Sequence, residues 1–404
     1  MENHTINAPT GFLAAGDHIG IKKENKDLTL ILSEKPAAAA GCFTQNIVKA
    51  APVVYDLTII QSGKRVRGIV VNSGIANACT SKQGYNDVKS TAEALAALAG
   101  CKADEVLVCS TGVIGVTLPM DIMLPGIEKV FGQLGKDKSS GENAASGILT
   151  TDTFTKSAYE EIVVGGVKVK LAGIAKGSGM IHPNMATMLS FITTDADIPT
   201  ELLQEALNAS VKNSYNMISV DRDTSTNDTI LVLANGMAGN ATIEPNSEAF
   251  GQFSTALHRI NKKLAIDIAR DGEGASKLME VTVSGAKTDA DARTIARSIT
   301  SSNLFKAALF GSDANWGRVL CSMGYSGGMF NPNQVDVTFN SIAGEINVLK
   351  DSSPVIFDET LAEKVLSEKE IHVDVRLTDG NYSATAWGCD LTYDYVKING
   401  DYRS

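Results

Sequence analysis

Cysteine is scarce in this chain, and its cysteines are not paired in sequence. None of the six stands in a Cys-x-x-Cys motif, which disfavours both a zinc ribbon and the disulfide framework of a secreted domain. We therefore expect reduced thiols and a cytoplasmic protein. The six residues are Cys42, Cys79, Cys101, Cys109, Cys321 and Cys389.

Histidine and long apolar runs are also rare. The five histidines form no His-Glu-x-x-His motif, so the sequence carries no zinc-protease signature. No stretch approaches the roughly 18 apolar residues of a membrane span, and the first residues lack the basic and apolar segments of a signal peptide. We expect neither a membrane segment nor a targeting segment.

Positive charge is in deficit, because 36 Lys and Arg residues face 46 Asp and Glu residues and give a net charge of −10. Nucleic acids and anionic membranes bind basic surfaces, so neither is an expected partner. The 404 residues, 44% of them hydrophobic, can form a large core in two domains or in one elaborate domain. The expected partners are small-molecule substrates.

One segment, residues 173–189 (GIAKGSGMIHPNMATML), combines a glycine-rich loop with an apolar continuation. Its three glycines and Pro183 disfavour regular structure and permit the unusual dihedral angles of a strained turn. The residues that follow, 188–192, predict a buried strand. Thr187 therefore stands where a loop enters a strand.

A threonine in this position can become a nucleophile if the peptide bond between Ala186 and Thr187 is cut. The new α-amine of Thr187 titrates near 7.7 to 8.0, so a neutral fraction is available to accept the hydroxyl proton without any histidine. The same hydroxyl would make the cut by attacking the carbonyl carbon of Ala186. The local pattern alone also fits an ordinary turn before a buried strand.

A second loop, residues 109–115 (CSTGVIG), follows the predicted strand 106–108. Glycine lets a main-chain N–H approach a ligand closely, and the Thr111 hydroxyl beside Gly112 adds a second donor, so this loop has the chemistry of an oxyanion hole. A simple turn is the alternative interpretation.

Apolar periodicity and glycine or proline punctuation predict a mixed α/β protein. Helices are predicted over 85–100, over 120–134 with a start that Pro125 delays, and over 200–214 behind an N-cap at Thr200. Residues 135–141 predict a solvated, linker-like turn, and residues 219–229 are interpreted as too polar for the core. The C-terminal third is predicted to mix helices and strands, over residues 250–270, 278–283, 291–301, 357–366 and 371–377.

Three other residue groups admit catalytic interpretations. Gly324 to Gly328 matches the Gly-x-Ser-x-Gly nucleophile elbow, but the turn-forming residues after it rule out the helix that the elbow requires. Asp221, Asp223 and Asp228 are hard oxygen ligands, yet they lack the glycine and the terminal glutamate of a calcium loop. His182 is interpreted as structural, because the amine mechanism needs no histidine.

The segment from Lys176 to Leu189, with its Ala-Thr-Met-Leu core, resembles the self-cleavage motif of the ornithine acetyltransferases, which are the glutamate N-acetyltransferases of the cyclic arginine pathway. The likeness covers nearly the whole chain, from Gly11 to the Asn399 tail. It implies that family's α/β fold with mixed sheets and packed helices. It also implies self-cleavage into an N-terminal chain, residues 1–186 with the oxyanion loop, and a C-terminal chain, residues 187–404.

The resemblance also implies a mechanism. Acetyl would pass from N-acetylornithine to Thr187 and then to glutamate in a ping-pong sequence, with Thr111 and Gly112 as the oxyanion hole and no cofactor. Acetyl-CoA is a possible additional donor, and a heterotetramer of two chains of each kind is the implied assembly. The implied substrate-binding set is Thr150, Lys176, Thr187, Glu273, Asn399 and Ser404.

Three positions depart from the family's pattern, and two other functions stay open. Ile75 replaces the family's usual asparagine, Arg222 a common glycine and Cys42 a valine, which affects loop shape rather than chemistry. An N-terminal-nucleophile amidohydrolase or aminopeptidase would use the same Thr187 but transfer the acyl group to water. A non-catalytic protein would keep the glycine-rich loop uncut as a ligand cradle.

Overall fold

The computed structural model describes residues 3–182 and 188–401, and the chain folds into two compact units. The first unit contains the described parts of Met1–Gly177, Asn184–Asn216 and Thr224–Ile268. The second contains the described parts of Ser178–Pro183, Met217–Asp223 and Ala269–Ser404. The predicted boundary between residues 186 and 187 lies outside the described residues and stays a prediction.

The described ranges contain strands and helices in alternation. The strands are β1 Phe12–Asp17, β2 Leu28–Phe43, β3 Val66–Ile75, β4 Val106–Val113, β5 Lys156–Val164, β6 Val167–Lys176, β7 Leu189–Thr194, β8 Ile218–Ser219, β9 Thr229–Ala234, β10 Leu278–Ala286, β11 Asp336–Ser341, β12 Gly344–Lys350, β13 Ser353–Pro354, β14 Glu370–Arg376 and β15 Tyr382–Cys389. The helices are α1 Ala51–Gln61, α2 Ser81–Ala99, α3 Met120–Phe131, α4 Lys138–Gly147, α5 Thr200–Lys212, α6 Glu248–Arg270, α7 Asp289–Thr300, α8 Asn303–Phe310, α9 Trp316–Gly324, α10 Glu359–Leu366 and α11 Tyr393–Gly400.

The first unit is built on an eight-stranded sheet in the order β4-β3-β2-β9-β7-β6-β5, with β1 added against β2. The pairs β3–β4 and β7–β9 are parallel and the others are antiparallel. Every residue of β7 and β9 is buried, as expected for central strands. The buried strand predicted after Thr187 is confirmed from Leu189 onward.

The second unit has a seven-stranded sheet in the order β13-β12-β11-β14-β10-β15-β8. It is also mixed, because β10–β14 and β15–β8 are parallel while the other pairs are antiparallel. Helix α7 packs against β10 and β15 and buries Ile295 and Ile299. The expectation of a mixed α/β protein is confirmed in both units.

Several predicted helices are confirmed with changed ends. Helix α2 begins four residues earlier than predicted and ends at Gly100 in the left-handed conformation, which glycine adopts without a steric cost. Helix α3 begins at Met120 with Pro125 inside it, so the proline does not delay the start. Thr200 is the first residue of α5 rather than its N-cap, and no side chain caps that helix.

The prediction of a solvated turn over residues 135–141 was wrong, because α4 begins there. Asp137 caps the helix by accepting a hydrogen bond from the main-chain N–H of Ser140 at 3.0 Å. A β-carbon placed on Gly141 would lie 2.0 Å from Thr5 Oγ1, and one on Gly147 would lie 2.3 Å from Thr29 Oγ1. The helix therefore packs through glycine rather than through the large apolar residues that a periodicity search detects.

The interpretation of residues 219–229 as too polar for the core was wrong for residues 225–229, although Arg222 and Asp223 are exposed. Ser225 to Thr229 are all buried, and Asp228 is fully buried. Hydrogen bonds replace apolar packing: the Thr44 hydroxyl donates to Ser225 O at 2.7 Å, and the Ala50 N–H donates to Thr226 O at 2.9 Å. A polar segment can occupy the interior when its groups are satisfied in this way.

The nucleophile elbow is absent from residues 324–328, because helix α9 precedes them and a turn leads on to β11. Near the C-terminal end of the described residues, Tyr393–Gly400 form helix α11, which contains Asn399. Within the described ranges, no helix combines the length and the apolar character that a membrane crossing requires.

Candidate active site

The predicted oxyanion loop lies at the C-terminal end of β4, an edge strand of the first sheet. The buried Asp56 side chain of α1 accepts a hydrogen bond from the Val108 N–H at 2.8 Å and so satisfies a donor at that edge. Thr111 is buried, and Gly112 has φ +131°. A β-carbon on Gly112 would lie 2.2 Å from the main-chain carbon of Gly74, so only glycine allows this approach to β3.

Lys176, the last residue of β6, reaches the oxyanion loop. Its side chain is buried, and Nζ donates a hydrogen bond to Thr111 Oγ1 over 3.2 Å. Because an ammonium group can only donate, the Thr111 oxygen accepts and its own hydrogen can be donated to another group. The structure thus brings together a predicted oxyanion donor and a predicted substrate-binding cation.

Asp152 is a buried carboxylate at this site that the sequence analysis missed. It accepts hydrogen bonds from Lys156 Nζ at 2.6 Å and from the Gly177 N–H at 2.7 Å. Burial would raise the pKa of Asp152, but the charges of Lys176 and Lys156 and these hydrogen bonds lower it to about 2. The carboxylate therefore balances two buried ammonium groups near neutral pH.

Thr150 and Lys22 lie beside this charge cluster. The Thr150 N–H donates to Asp152 Oδ2 at 3.1 Å, and Lys22 Nζ donates to Leu149 O at 2.8 Å. Burial and the neighbouring Lys176 lower the pKa of Lys22 to about 8, against the opposing effect of the Asp27 and Asp152 carboxylates. Lys22 was also missed, because a lysine in a polar loop carries no sequence signal of its burial.

The second unit holds two other predicted substrate-binding residues, and they touch each other. Asn399 Nδ2 of α11 donates to Glu273 Oε2 at 2.7 Å, and the Glu273 N–H donates to Ser178 O at 2.9 Å. A β-carbon on Gly179 would lie 2.3 Å from the Glu273 carboxyl, which explains why glycine stands there. Glu273 and Asn399 therefore form a pair in the second unit, beside Ser178 and Gly179 of the glycine-rich loop.

Ala186, Thr187 and Ser404 lie outside the described residues, but residues next to the predicted nucleophile are described. Beyond it, the Met188 N–H donates to Asp228 Oδ1 at 3.1 Å. Before it, His182 Nδ1 lies 3.1 Å from Ser219 Oγ. Burial, with the charges of Arg297 and Arg222, lowers the pKa of His182 to about 4, so its ring is neutral near pH 7.

Asp221 supports the loop before the predicted nucleophile. Its carboxylate accepts hydrogen bonds from the N–H groups of Met180 and Ile181, at 2.5 and 2.9 Å. Burial raises its pKa to about 6. Across the described ranges, no three His, Cys, Asp or Glu side chains are grouped closely enough to hold a metal ion.

Comparison with known proteins assigns the chain to a family. Residues 13–404 match the sequence model of the ArgJ family. This chain belongs to the ArgJ family. The ArgJ family match covers nearly every element described above and confirms the resemblance inferred from the motifs.

Curated ArgJ relatives match along their whole length. The arginine biosynthesis bifunctional protein ArgJ of Caldanaerobacter subterraneus subsp. tengcongensis is 52% identical over 399 residues, covering 99% of this chain and 98% of the relative. The arginine biosynthesis bifunctional protein ArgJ 1 of Clostridium acetobutylicum is 51% identical over 405 residues, covering 100% and 98%.

A solved ArgJ structure shares the fold. The crystal structure of the arginine biosynthesis bifunctional protein ArgJ from Bacillus halodurans is 47% identical, with a TM-score of 0.51. The match covers 53% of this chain and 99% of that chain. The expectation of this family's α/β fold is confirmed.

Proposed function

We propose that this chain is an acetyltransferase of arginine biosynthesis that moves acetyl from N-acetylornithine to glutamate through an acetyl-Thr187 intermediate. The observation that carries the proposal is the contact between Lys176 and Thr111, which joins a buried cation to a hydroxyl donor in a chain of the ArgJ family. Both substrates carry a carboxylate, and both pass through the same acyl-enzyme.

The oxyanion donors would be the Thr111 hydroxyl and the Gly112 N–H. Lys176 orients the hydroxyl by occupying its oxygen, so the remaining hydrogen can stabilise the negative charge that develops on the acetyl oxygen. Removal of one such donor typically costs about 10²- to 10³-fold in turnover. The tight contact of Gly112 with Gly74 fixes the direction of this loop.

Substrate carboxylates and amines would be bound by charged groups of both signs. Lys176 provides a cation for the α-carboxylate, and Glu273, held by Asn399, provides an anion for an amine. Thr150, Thr187 and Ser404 complete the proposed binding set. No step requires a metal or an organic cofactor, and acetyl-CoA remains a possible second donor.

The proposed self-cleavage before Thr187 would generate the catalytic amine. The solved ArgJ chain from Bacillus halodurans covers about half of this chain, which is the share that either proposed piece would have. The pieces would be residues 1–186 and 187–404, assembled as a heterotetramer in the cytoplasm. A native mass twice that of the 404-residue chain would support this assembly, and a native mass equal to that of one 404-residue chain would contradict it.

The first test is the denaturing intact mass of the purified protein. We expect two species whose masses sum to that of the full chain plus one water, with the break before Thr187. Thr187→Ala should give a single uncut species, and an uncut but active variant would overturn the proposed nucleophile.

The second test separates the proposed reaction from its rivals. With N-acetylornithine and glutamate, we expect ornithine and N-acetylglutamate in equal amounts and no free acetate. Free acetate in place of N-acetylglutamate would indicate an amidohydrolase, and tight binding without turnover would indicate a ligand-binding protein. Replacement of N-acetylornithine by acetyl-CoA tests the additional donor.

A further inference from the structure

The buried polar segment Ser225–Thr229 lies between two parts of the first unit that the proposed chemistry must align. On one side are the C-terminal ends of β3 and β4, including Thr111 and Gly112 of β4. On the other side is the start of β7, which begins two residues after Thr187 in the chain. The segment leads into β9, and β9 pairs with β7 in parallel, with Thr229 opposite Leu189.

Asn227 contacts the oxyanion side. Its Nδ2 donates to Ser110 O at 2.8 Å and to Ala76 O at 2.7 Å, so one amide bridges β4 and the first residue after β3. Its Oδ1 accepts from the Thr226 hydroxyl at 2.6 Å, which fixes the orientation of the amide. Ser110 O belongs to the peptide group that also contains the Thr111 N–H, so Asn227 holds the peptide that precedes Thr111 in the oxyanion loop.

Asp228 contacts the nucleophile side. Its Oδ1 accepts the Met188 N–H at 3.1 Å, and the Thr229 N–H donates to Met188 O at 3.1 Å. Met188 is therefore held at both its N–H and its carbonyl group. The second carboxyl oxygen of Asp228, Oδ2, is buried and has no hydrogen-bond partner among the described residues.

Burial raises the pKa of Asp228 well above its usual range, against the opposing effects of the Met188 hydrogen bond, Thr44 and Lys176. Met188 follows Thr187 directly in the chain, so fixing the Met188 main chain constrains the proposed nucleophile, and the orientation of reacting groups contributes strongly to the rates of enzymes.

We propose that Asn227 and Asp228 are positioning residues for the proposed acetyl transfer: Asn227 fixes the oxyanion loop, and Asp228 fixes Met188, the residue that follows Thr187. Adjacent residues of one buried segment thereby set the distance between the oxyanion donors and the nucleophile. The inference rests on the proposed function. A change of about 1 Å in the distance between the oxyanion donors and the nucleophile is expected to lower the rate by about 100-fold.

The far ends of the same two strands supply matched controls. Asn235 follows β9, is buried, and its Nδ2 donates to Thr10 O at 2.9 Å. Asp195 follows β7, is buried, and accepts the Thr10 and Lys170 N–H groups at 2.9 and 2.8 Å. Substitutions there remove equivalent buried groups without touching either loop of the site.

The experiment compares Asn227→Ala with Asn235→Ala, and Asp228→Asn with Asp195→Asn, in the full-length chain. Self-cleavage is followed by intact mass over time, and kcat and KM are measured per cleaved chain. We expect the Asn227 and Asp228 variants to lose at least 10-fold in cleavage rate and in kcat, with little change in KM. Both control variants should stay within about threefold of wild type despite similar losses in thermal midpoint.

Asp228→Asn protects the test against simple misfolding, because its amide oxygen can still accept the Met188 N–H while an NH₂ group replaces Oδ2. If each site variant matches its control in cleavage and kcat, the positioning role is wrong. If wild type neither cleaves nor transfers acetyl, the proposed function itself fails. A loss confined to KM would also overturn the inference, because it would indicate substrate contact rather than alignment.

Discussion

Asp152 shows how one residue can stabilise a site that sequence patterns do not reveal. It is buried with Lys156, whose Nζ lies 2.6 Å away, and it also balances the charge of Lys176. Removing one partner from a buried ion pair leaves an uncompensated charge, which typically costs about 3 to 5 kcal/mol. The cluster therefore contributes to folding as well as to the proposed binding of carboxylates.

Asp152→Asn should lower the free energy of unfolding by roughly that amount, because Lys156 and Lys176 would stay buried without their carboxylate. Asp336→Asn is the matched control, since it breaks the surface ion pair with Lys350 at 2.7 Å, and such pairs contribute about 0 to 1 kcal/mol. Urea unfolding measures both changes. Equal shifts in the two midpoints would show that the Asp152 cluster is hydrated like a surface pair.

Lys22 makes the free energy of unfolding depend on pH in the alkaline range. Its pKa falls from 10.5 to about 8 in the folded chain, so between these values the unfolded chain binds more protons than the folded chain. Its contribution therefore becomes more favourable as pH rises from about 8 to 10.5. Below pH 8 the full cost of burying its charge is present.

Lys22→Met should abolish this component. Urea midpoints at pH 7.5 and 9.5 should rise more, or fall less, with pH for wild type than for the variant. Lys23→Met, at the exposed neighbouring position, controls for the loss of one positive charge. If wild type and Lys22→Met change in parallel, Lys22 keeps its charge across this range.

At the scale of elements, the oxyanion loop contains two glycines at which an added side chain would have different effects. Gly112 and Gly115 both have positive φ, but only Gly112 lacks space, since a β-carbon would meet the main chain of Gly74 at 2.2 Å. Gly115 has no atom within 4 Å of that position. Substitutions at the two positions therefore distinguish the effect of backbone strain alone from the effect of displacing the loop.

Gly112→Ala should reduce acetyl transfer by about 10²- to 10³-fold, the effect of losing an oxyanion donor, because the loop must move away from β3. Gly115→Ala should cost only the local strain, of order 1 to 3 kcal/mol in stability. Turnover per folded molecule, with folding checked by circular dichroism, measures both variants. Similar turnover in the two variants would contradict the proposed role of Gly112 in the oxyanion hole.

The elements predicted correctly are those whose packing is apolar. Strand β7 and helix α2 bury large aliphatic residues at regular spacing, and their ends carry recognisable signals such as Gly100. Helix α4 was missed because its contacts are made by Gly141 and Gly147, which can pack closely against their neighbours because they lack a side chain. Spacing alone cannot show which neighbour a glycine must approach.

The buried polar parts of the site were missed for a related reason. Residues 225–229 lie in the interior only because distant groups satisfy them, such as Thr44 and Ser110, which are 181 and 117 residues from their partners. A local pattern cannot reveal such partners. The Asp152 carboxylate is satisfied by Lys156 and by the Gly177 N–H, and neither residue type indicates that contact in the sequence. The Thr187 segment was identifiable because its loop-to-strand pattern is local and its motif resembles a known family.

At the scale of the whole molecule, the sheet of the first unit explains why two proposed pieces would stay together. The N-terminal piece contributes β2 and β6, and the C-terminal piece contributes β7 and β9 between them. The pairs β6–β7 and β2–β9 each join strands from different pieces, over six residue pairs apiece. Both inserted strands are fully buried, so separation would expose a central part of the core.

We therefore expect the cleaved protein to elute as one species in size-exclusion chromatography, at the volume of uncut Thr187→Ala, and to separate into two pieces only in denaturant. Each separated piece should fail to refold alone, because residues 1–186 lack the centre of the sheet and residues 187–404 lack both of its flanks. Refolding of the mixed pieces should restore acetyl transfer, since the strand pairs β6–β7 and β2–β9 can form again between the two pieces. Two peaks under native conditions, with activity retained in one of them, would contradict a shared sheet.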